Sequence, residues 1–206
     1  MRVIAGSAKG RPLHAPRGKA VRPTSDKVKG AIFSMLEALL LARLPESEHG
    51  YAQEELWAGV RMLDLYAGSG ALAIEALSRG AAWADLVETS HAACQVIRRN
   101  LAETGLAERA RLHCTSVHNA LAADSPLRSA EGYDIIALDP PYADPAVGEV
   151  VRALSDSALL RPGALVVVEH SRRVPLCDVY GRLARVRERT HGDTTISVYR
   201  HQEESS

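Results

Sequence analysis

Two hydrophobic periods alternate along most of this chain. Short apolar runs recur at Met62–Ala67, Trp83–Val87, Ala110–Cys114, Tyr133–Leu138 and Ala164–Glu169. Between them apolar residues return every three or four positions. The runs predict strands covered on both faces, and the stripes predict the helices that cover them. The helices fall at the start of Leu72–Leu77, over Ser90–Thr104 (Ala93, Val96, Ile97 and Leu101 inward, Gly105 at the C-cap), near Val117–Ala123 and over Pro145–Ser157. In the helix after Met62–Ala67, Leu72, Ala73, Ala76 and Leu77 turn one face to the sheet.

The ends of the chain read differently. Residues 1–20 form two short extended runs about a glycine turn, RVIAG-SAKGR-PLHAP, which predicts a hairpin. Pro23 fixes the backbone, Thr24 or Ser25 can cap, and Asp26 to about Arg43 carries a helical stripe of Val28, Ala31, Ile32, Met35, Leu36, Leu39 and Leu40. Pro45–Gln53 is polar and reads as a loop. Leu183–Thr190 and Thr194–Arg200 flank His191-Gly192-Asp193 as an antiparallel hairpin. Strands and helices in alternation with a closing hairpin give an α/β class, a mixed, doubly wound sheet.

Length and composition add bounds. A chain of 206 residues, 46% hydrophobic and 24% charged, accommodates one such domain with an appendage. Net charge is zero, yet residues 1–30 carry eight Lys or Arg against Asp26, a net +7, which leaves −7 on the rest. A basic arm of this kind is suited to a polyanion. Cys94, Cys114 and Cys177 form no CxxC pair, and an odd cysteine count fits a reducing compartment. Only a four-residue apolar run follows Arg2, and no run approaches membrane length. The expectation is a soluble cytoplasmic protein without a metal site, with His113, His118, His170 and His191 on the surface or in loops.

Two constellations carry chemistry. In LDLYAGSGALAIEAL, Leu63–Leu77, a strand enters a Gly68-Ser69-Gly70 turn that opens a helix. Glycines allow a ligand close to the backbone, and a helix start presents N–H groups. Glu88 ends the next strand 18 residues after Gly70, about where an acid meets ribose hydroxyls in dinucleotide folds. Asp64, four residues before Gly68, has no task in a nicotinamide or flavin site; a ligand with an ammonium group beside its ribose would need it. The second constellation, Asp139-Pro140-Pro141-Tyr142, follows a central strand, where open α/β sheets bind ligands. A carboxylate and the Pro140 carbonyl on a stiff turn can accept both hydrogens of an exocyclic base amine, directing its lone pair at an electrophile while Tyr142 stacks on the base.

Together LDLYAGSGALAIEA, Glu88 and DPPY resemble the class I S-adenosylmethionine-dependent methyltransferases that act on base amino groups. RVIAGSAKGRPL, RPTSDKVKGAIFSML and HGDTTISVYR are similar to the RsmD family, which methylates the exocyclic N2 of a guanine in 16S ribosomal RNA. The resemblance covers nearly the whole chain, with Leu44–Trp57 longer or less regular than the family pattern. It implies a mostly parallel, seven-stranded Rossmann-like methyltransferase sheet over residues 25–206 and a basic RNA-binding hairpin over residues 1–24. By position, Asp64 with Ala67, Gly68, Ser69 and Gly70 would hold the amino-acid part of S-adenosylmethionine. Glu88 would take the ribose, Ser116 and Val117 the adenine edge, and Asp139, Pro140 and Tyr142 the guanine. Arg2, Lys9, Arg11, Arg17, Lys19, Arg22 and Thr24 would meet the RNA, within the small ribosomal subunit or an assembly intermediate. A monomer is expected. DPPY also suits an adenine-N6 methyltransferase, and the cradle alone suits a non-catalytic RNA-binding assembly factor. The arginines of Arg182–Arg189 read as a solvated face or a second RNA contact.

Overall fold

The structure, a computed structural model, describes residues 1–16, 25–45, 50–129, 131–141 and 144–202. Eight strands form one sheet in the order β3-β2-β1-β4-β5-β8-β7-β6. They are β1 (Arg61–Asp64), β2 (Trp83–Glu88), β3 (Ala110–Cys114), β4 (Tyr133–Leu138), β5 (Leu160–Ser171), β6 (Val179–Tyr180), β7 (Leu183–His191) and β8 (Thr194–His201). β1 to β5 pair in parallel, and β8 runs antiparallel between β5 and β7. The sheet has one strand more than expected because two-residue β6 adds to the edge of β7. Too short to show alternation, it left no periodic trace in the sequence.

Helices cover both faces. On one lie α1 (Asp26–Leu41), α2 (Gln53–Trp57), α3 (Ala71–Arg79) and α4 (His91–Thr104); on the other lie α5 (Val117–Leu121) and α6 (Val147–Ser155). Ser25 caps α1 by accepting from Val28 N at 3.2 Å, and Ser90 caps α4. The β1 run stops at Asp64 rather than at Ala67, since the chain turns into the glycine loop there. Within the polar Pro45–Gln53 stretch and beyond it, α2 forms from Gln53 because Trp57 is fully buried against Phe33, ring centroids 5.4 Å apart. β5 extends to Ser171, and its pairing with β8 explains the added length: Glu169 lies opposite Ile196 and Ser171 opposite Thr194.

The expectation of a one-faced α3 is corrected: every residue of this helix is buried. The sheet covers one side, and residues 1–13 cover the other. These residues close a hairpin-like turn with a single antiparallel bridge, Arg2 to Pro12, plus Val3 N to Arg11 O at 3.0 Å and Leu13 N to Met1 O at 3.0 Å. Val3, Ala8 and Leu13 are buried in the main core. Gly6, at φ +78°, lies so close to α3 that a Cβ would stand 1.8 Å from Ser78 O.

A buried ionic knot fastens this arrangement. Glu75 accepts from Ile4 N at 2.8 Å and Ala5 N at 3.0 Å, and pairs with Lys29 Nζ at 3.1 Å and Arg79 at 2.9 Å. Lys29 and Glu75 are wholly buried, so the carboxylate neutralises two cations and satisfies two backbone donors that water cannot reach. Lys29, counted in the basic arm from sequence, is therefore unavailable to RNA. Two histidines are also corrected from surface to interior. His113 bonds Asp85 at 2.7 Å, and His170 lies between Ser197 Oγ at 3.0 Å and the Val174 carbonyl, with burial holding its pKa below the usual value. Among the described residues no helix is long and apolar enough to cross a membrane, and no group of three or more His, Cys, Asp or Glu is placed to hold a metal.

Candidate active site at the carboxyl edge of the sheet

Asp64 ends β1, Glu88 ends β2, and Asp139 follows β4, so all three stand at the carboxyl edge of adjacent parallel strands. From Asp64 the chain climbs through Leu65, still bonded to Ala137 O at 2.9 Å, to Ala67, whose N–H donates to Val87 O at 3.0 Å. Gly68 and Gly70 then adopt φ of +54° and +78°, which favour glycine. At Gly70 a Cβ would meet Ile74 and Leu86 at 3.3 Å; at Gly68 it would meet only Tyr66 O, at 3.9 Å. Gly70 therefore lets the loop tuck against the core, and Gly68 faces open space where a ligand can approach.

The loop is held from two sides, by Glu88 and by Asn100. Gly68 N donates to Glu88 Oε2 at 2.8 Å, and Ser90 N donates to Glu88 Oε1 at 2.7 Å, so the carboxylate is fixed at the mouth with lone pairs left for hydroxyl donors. Asn100, fully buried on α4, donates to Ser69 O at 2.8 Å and to His14 O at 2.9 Å, and accepts from His14 N at 2.9 Å. One amide thus joins the cradle to the end of the N-terminal turn. Sequence reasoning counted Ala93, Val96, Ile97 and Leu101 on this face and passed over Asn100; its place on the inward stripe was the available signal.

Asp64 is 1% exposed. Its Oδ2 accepts from Ala73 N at 3.4 Å, and its Oδ1 is buried with no hydrogen-bond partner. Burial, followed by the nearby Asp139 charge, raises its pKa to about 7. An orphaned carboxylate oxygen beside a glycine cradle fits a ligand that brings a positive charge and hydrogen-bond donors. Ser116 caps α5 by accepting from Asn119 N at 3.2 Å, and with half-buried Val117 it lies past the end of β3, beyond Glu88 from the cradle. Tyr66, a polar break in the apolar run with no site role expected from sequence, is half-buried at the mouth, and burial with the Asp144 charge raises its pKa.

Asp139 is half-buried, and Pro140 is buried behind it. The turn continues with Asp144 N donating to Pro141 O at 3.0 Å and Asp144 Oδ1 accepting from Ala146 N at 2.9 Å, which leads into α6. Tyr142 lies outside the described residues, as do Arg17, Lys19, Arg22 and Thr24. Of the arm, Arg2 and Lys9 are exposed, Arg2 standing 3.7 Å from Asp26, and Arg11 donates to the Glu103 carbonyl on α4. In the Arg182–Arg189 stretch, Arg185 pairs with Asp178 and Glu188, whereas Arg187 and Arg189 are exposed.

Parallel strands 3-2-1-4-5 continued by an antiparallel strand, with a glycine loop after β1 and acids ending β1 and β2, define the class I methyltransferase fold. Residues 1–200 match the family described as Conserved hypothetical protein 95, and the chain belongs to that family. Ribosomal RNA small subunit methyltransferase D of Escherichia coli is 31% identical over 97% of this chain and 89% of its own length. The solved structure of the Escherichia coli protein yhhF is similar with a TM-score of 0.77 at 29% identity, covering 98% of both chains. An RNA methyltransferase from Salinibacter ruber, solved in complex with S-adenosyl-L-homocysteine, shares the fold at 19% identity and a TM-score of 0.61, covering 90% of this chain and 97% of that one.

Proposed function

We propose that the protein transfers a methyl group from S-adenosylmethionine to the exocyclic N2 of a guanine in 16S ribosomal RNA. The observation that carries this reading is the pairing, on adjacent strands β1 and β4, of a cation-seeking cradle at Asp64 with the stiff Asp139-Pro140 turn. The relatives' names, small-subunit ribosomal RNA methyltransferases, support the substrate class. The cofactor supplies an electrophilic methyl on a sulfonium leaving group. Asp64 would receive its ammonium, the Ala67–Gly70 backbone its carboxylate end, Glu88 its ribose hydroxyls, and Ser116 with Val117 its adenine edge.

The chain's own residues then have to present a nitrogen. Asp139 and the Pro140 carbonyl would accept the two N2 hydrogens, which turns the nitrogen lone pair out of conjugation and toward the cradle, while Tyr142 stacks on the base. Orientation and exclusion of water supply most of the acceleration, and Asp139 takes the proton late, once the nitrogen is tetrahedral and acidic. To reach this pocket the guanine has to leave its stack, with Arg2, Lys9 and Arg11, and Arg17, Lys19, Arg22 and Thr24 beyond them, holding the surrounding phosphates. The particle that presents it would be the small subunit or an assembly intermediate, met by a cytoplasmic monomer.

The test is methyl incorporation into small-subunit RNA with nucleoside mapping. Asp139→Ala should abolish transfer while leaving S-adenosylhomocysteine affinity within a few-fold. Near-normal turnover by that variant, or methylation of adenine, would overturn the reading.

A further inference from the structure

A cavity of about 440 Å³ lies on the edge that carries the candidate site, one strand beyond the Asp139 turn. Ser25, Lys27 and Val28 from the start of α1 form one wall, Glu169 of β5 another, and Thr190, His191, Gly192 and Thr194 of the β7–β8 turn the third. Its size falls in the range of ligand sites, roughly 300–1,000 Å³. The lining is mostly polar, with one carboxylate, one ammonium, one imidazole and hydroxyls beside Val28, and the His191 Nε2 atom is buried with no hydrogen-bond partner among the described residues.

Strand register ties this cavity to the site. Met62, Ile135, Ala137, Leu165 and Val167 all enter the core on the α1–α3 face. Side chains alternate along a strand, so Asp64 of β1 and Glu169 of β5 project to that same face, and Asp139 follows β4 between them. Leu138 is the partner of Val168, so Asp139 and Glu169 each directly follow one member of the same cross-strand pair. Three carboxylates therefore stand across β1, β4 and β5: one in the cofactor cradle, one at the proline turn and one in the cavity.

We propose that Glu169 is the residue that reads the target base as guanine, by accepting its N1–H, with His191 or the threonine hydroxyls donating to O6. The inference rests on the methyltransferase reading and deepens it. An amine held by Asp139 and Pro140 does not distinguish guanine N2 from adenine N6, because both are conjugated NH₂ groups. The adjacent ring position does distinguish them. Guanine offers a donor at N1, next to its N2 amine, and an acceptor at O6; adenine offers an acceptor at N1. A carboxylate next to the amine site is complementary to the first and repels the second. A site built to accept a hydrogen bond rejects an analogue that cannot donate it far more strongly than an apolar pocket rejects a change of size. Lys27 at the rim is suited to the phosphate that follows the base.

The experiment titrates the full chain, loaded with S-adenosylhomocysteine, with four ribonucleoside 5′-monophosphates, by NMR up to 20 mM. Guanosine and inosine both carry N1–H; 2-aminopurine riboside and adenosine carry an N1 acceptor. Guanosine monophosphate should bind about ten-fold or more tighter than 2-aminopurine riboside monophosphate, which keeps the 2-amine and lacks N1–H, and inosine monophosphate should exceed adenosine monophosphate, which also lacks the 2-amine, by a similar factor, the scale set by one unpaired buried polar group. Glu169→Gln should remove that preference, or reverse it toward 2-aminopurine, while the S-adenosylhomocysteine affinity and the unfolding midpoint stay at the wild-type values. Retention of the wild-type preference by Glu169→Gln, equal binding of all four nucleotides by the wild type, or no binding of guanosine monophosphate would each overturn the assignment. Methylation of guanine in small-subunit RNA despite any of these outcomes would leave the transferase reading standing. Absence of methyl transfer by the wild type would fail that reading independently of the titration.

Discussion

Asp64 allows a prediction whose sign runs against the usual behaviour of acids in folded proteins. Its carboxyl is buried and faces Asp139, which raises its pKa from 3.8 to about 7. A raised carboxyl pKa means that the folded, ligand-free protein favours the protonated form. Stability from this group is therefore intact below pH 4 and is lost as pH rises to 7, by roughly 4 kcal/mol at about 1.4 kcal/mol per pKa unit. A bound ammonium reverses the preference, because it interacts with the ionised form. Between pH 5.5 and 7 the ligand's α-amino group, which titrates no lower than a chain's amino terminus because its own carboxylate favours the ammonium, remains charged. Binding of S-adenosylhomocysteine at pH 6 should then release about 0.9 proton, since a group with a pKa near 7 is about nine-tenths protonated one unit below it. Affinity should rise about tenfold per pH unit up to 7 and flatten above. Calorimetric titration in two buffers of different ionisation enthalpy counts the protons directly. Asp64→Asn should abolish the release and weaken binding at pH 7.5 by about ten- to a hundred-fold, the range of a hydrogen bond to a charged group. No proton release by the wild type at pH 6, or equal release by Asp64→Asn, would refute the reasoning.

Other consequences follow from the buried connections. Glu75→Ala leaves the buried Lys29 ammonium without a carboxylate, Arg79 with Glu37 alone and two backbone N–H groups unsatisfied, and should cost about 3–5 kcal/mol in urea denaturation; a loss below 1 kcal/mol would show that the knot is not what fastens residues 1–13. Gly6→Ala places a Cβ 1.8 Å from Ser78 O at a left-handed φ, so limited proteolysis should cut within residues 1–13 of the variant much faster than in the wild type; an unchanged cleavage pattern would contradict the docked turn. Asn100→Leu deletes three hydrogen bonds joining Ser69 to His14. At about 1 kcal/mol each, their loss should lower both the denaturation midpoint and the S-adenosylhomocysteine affinity, and wild-type affinity would show that the cradle stands without the arm.

Much of the site was legible before folding. Gly68 and Gly70 announce a turn because no other residue enters a left-handed backbone so readily, and the alternation around them announces parallel strands. Asp64, Glu88 and Asp139 could be placed at one edge because each ends an apolar run, and parallel strands bring such ends together. The boundaries of β2, β3 and β4 agree with the expected runs for the same reason. What escaped depended on partners remote in sequence. Nothing local marks β6, which exists only as an addition to β7, or α2, which forms where Trp57 meets Phe33. His113 and His170 looked like surface residues because their partners, Asp85 and Ser197, lie 28 and 27 positions away.

The sequence by itself determined the class of fold and the strand-end positions of Asp64 and Glu88, since periodicity and glycine conformation are local properties written residue by residue. Only the tertiary structure decided the rest. It turned Lys29 from an arm cation into a buried clamp and docked the basic turn on a helix that starts at the glycine loop. It also brought Glu169 onto the strand next to the one that Asp139 follows. Those relations are distances between strands and helices that the chain brings together only when the apolar faces of both layers are buried at once.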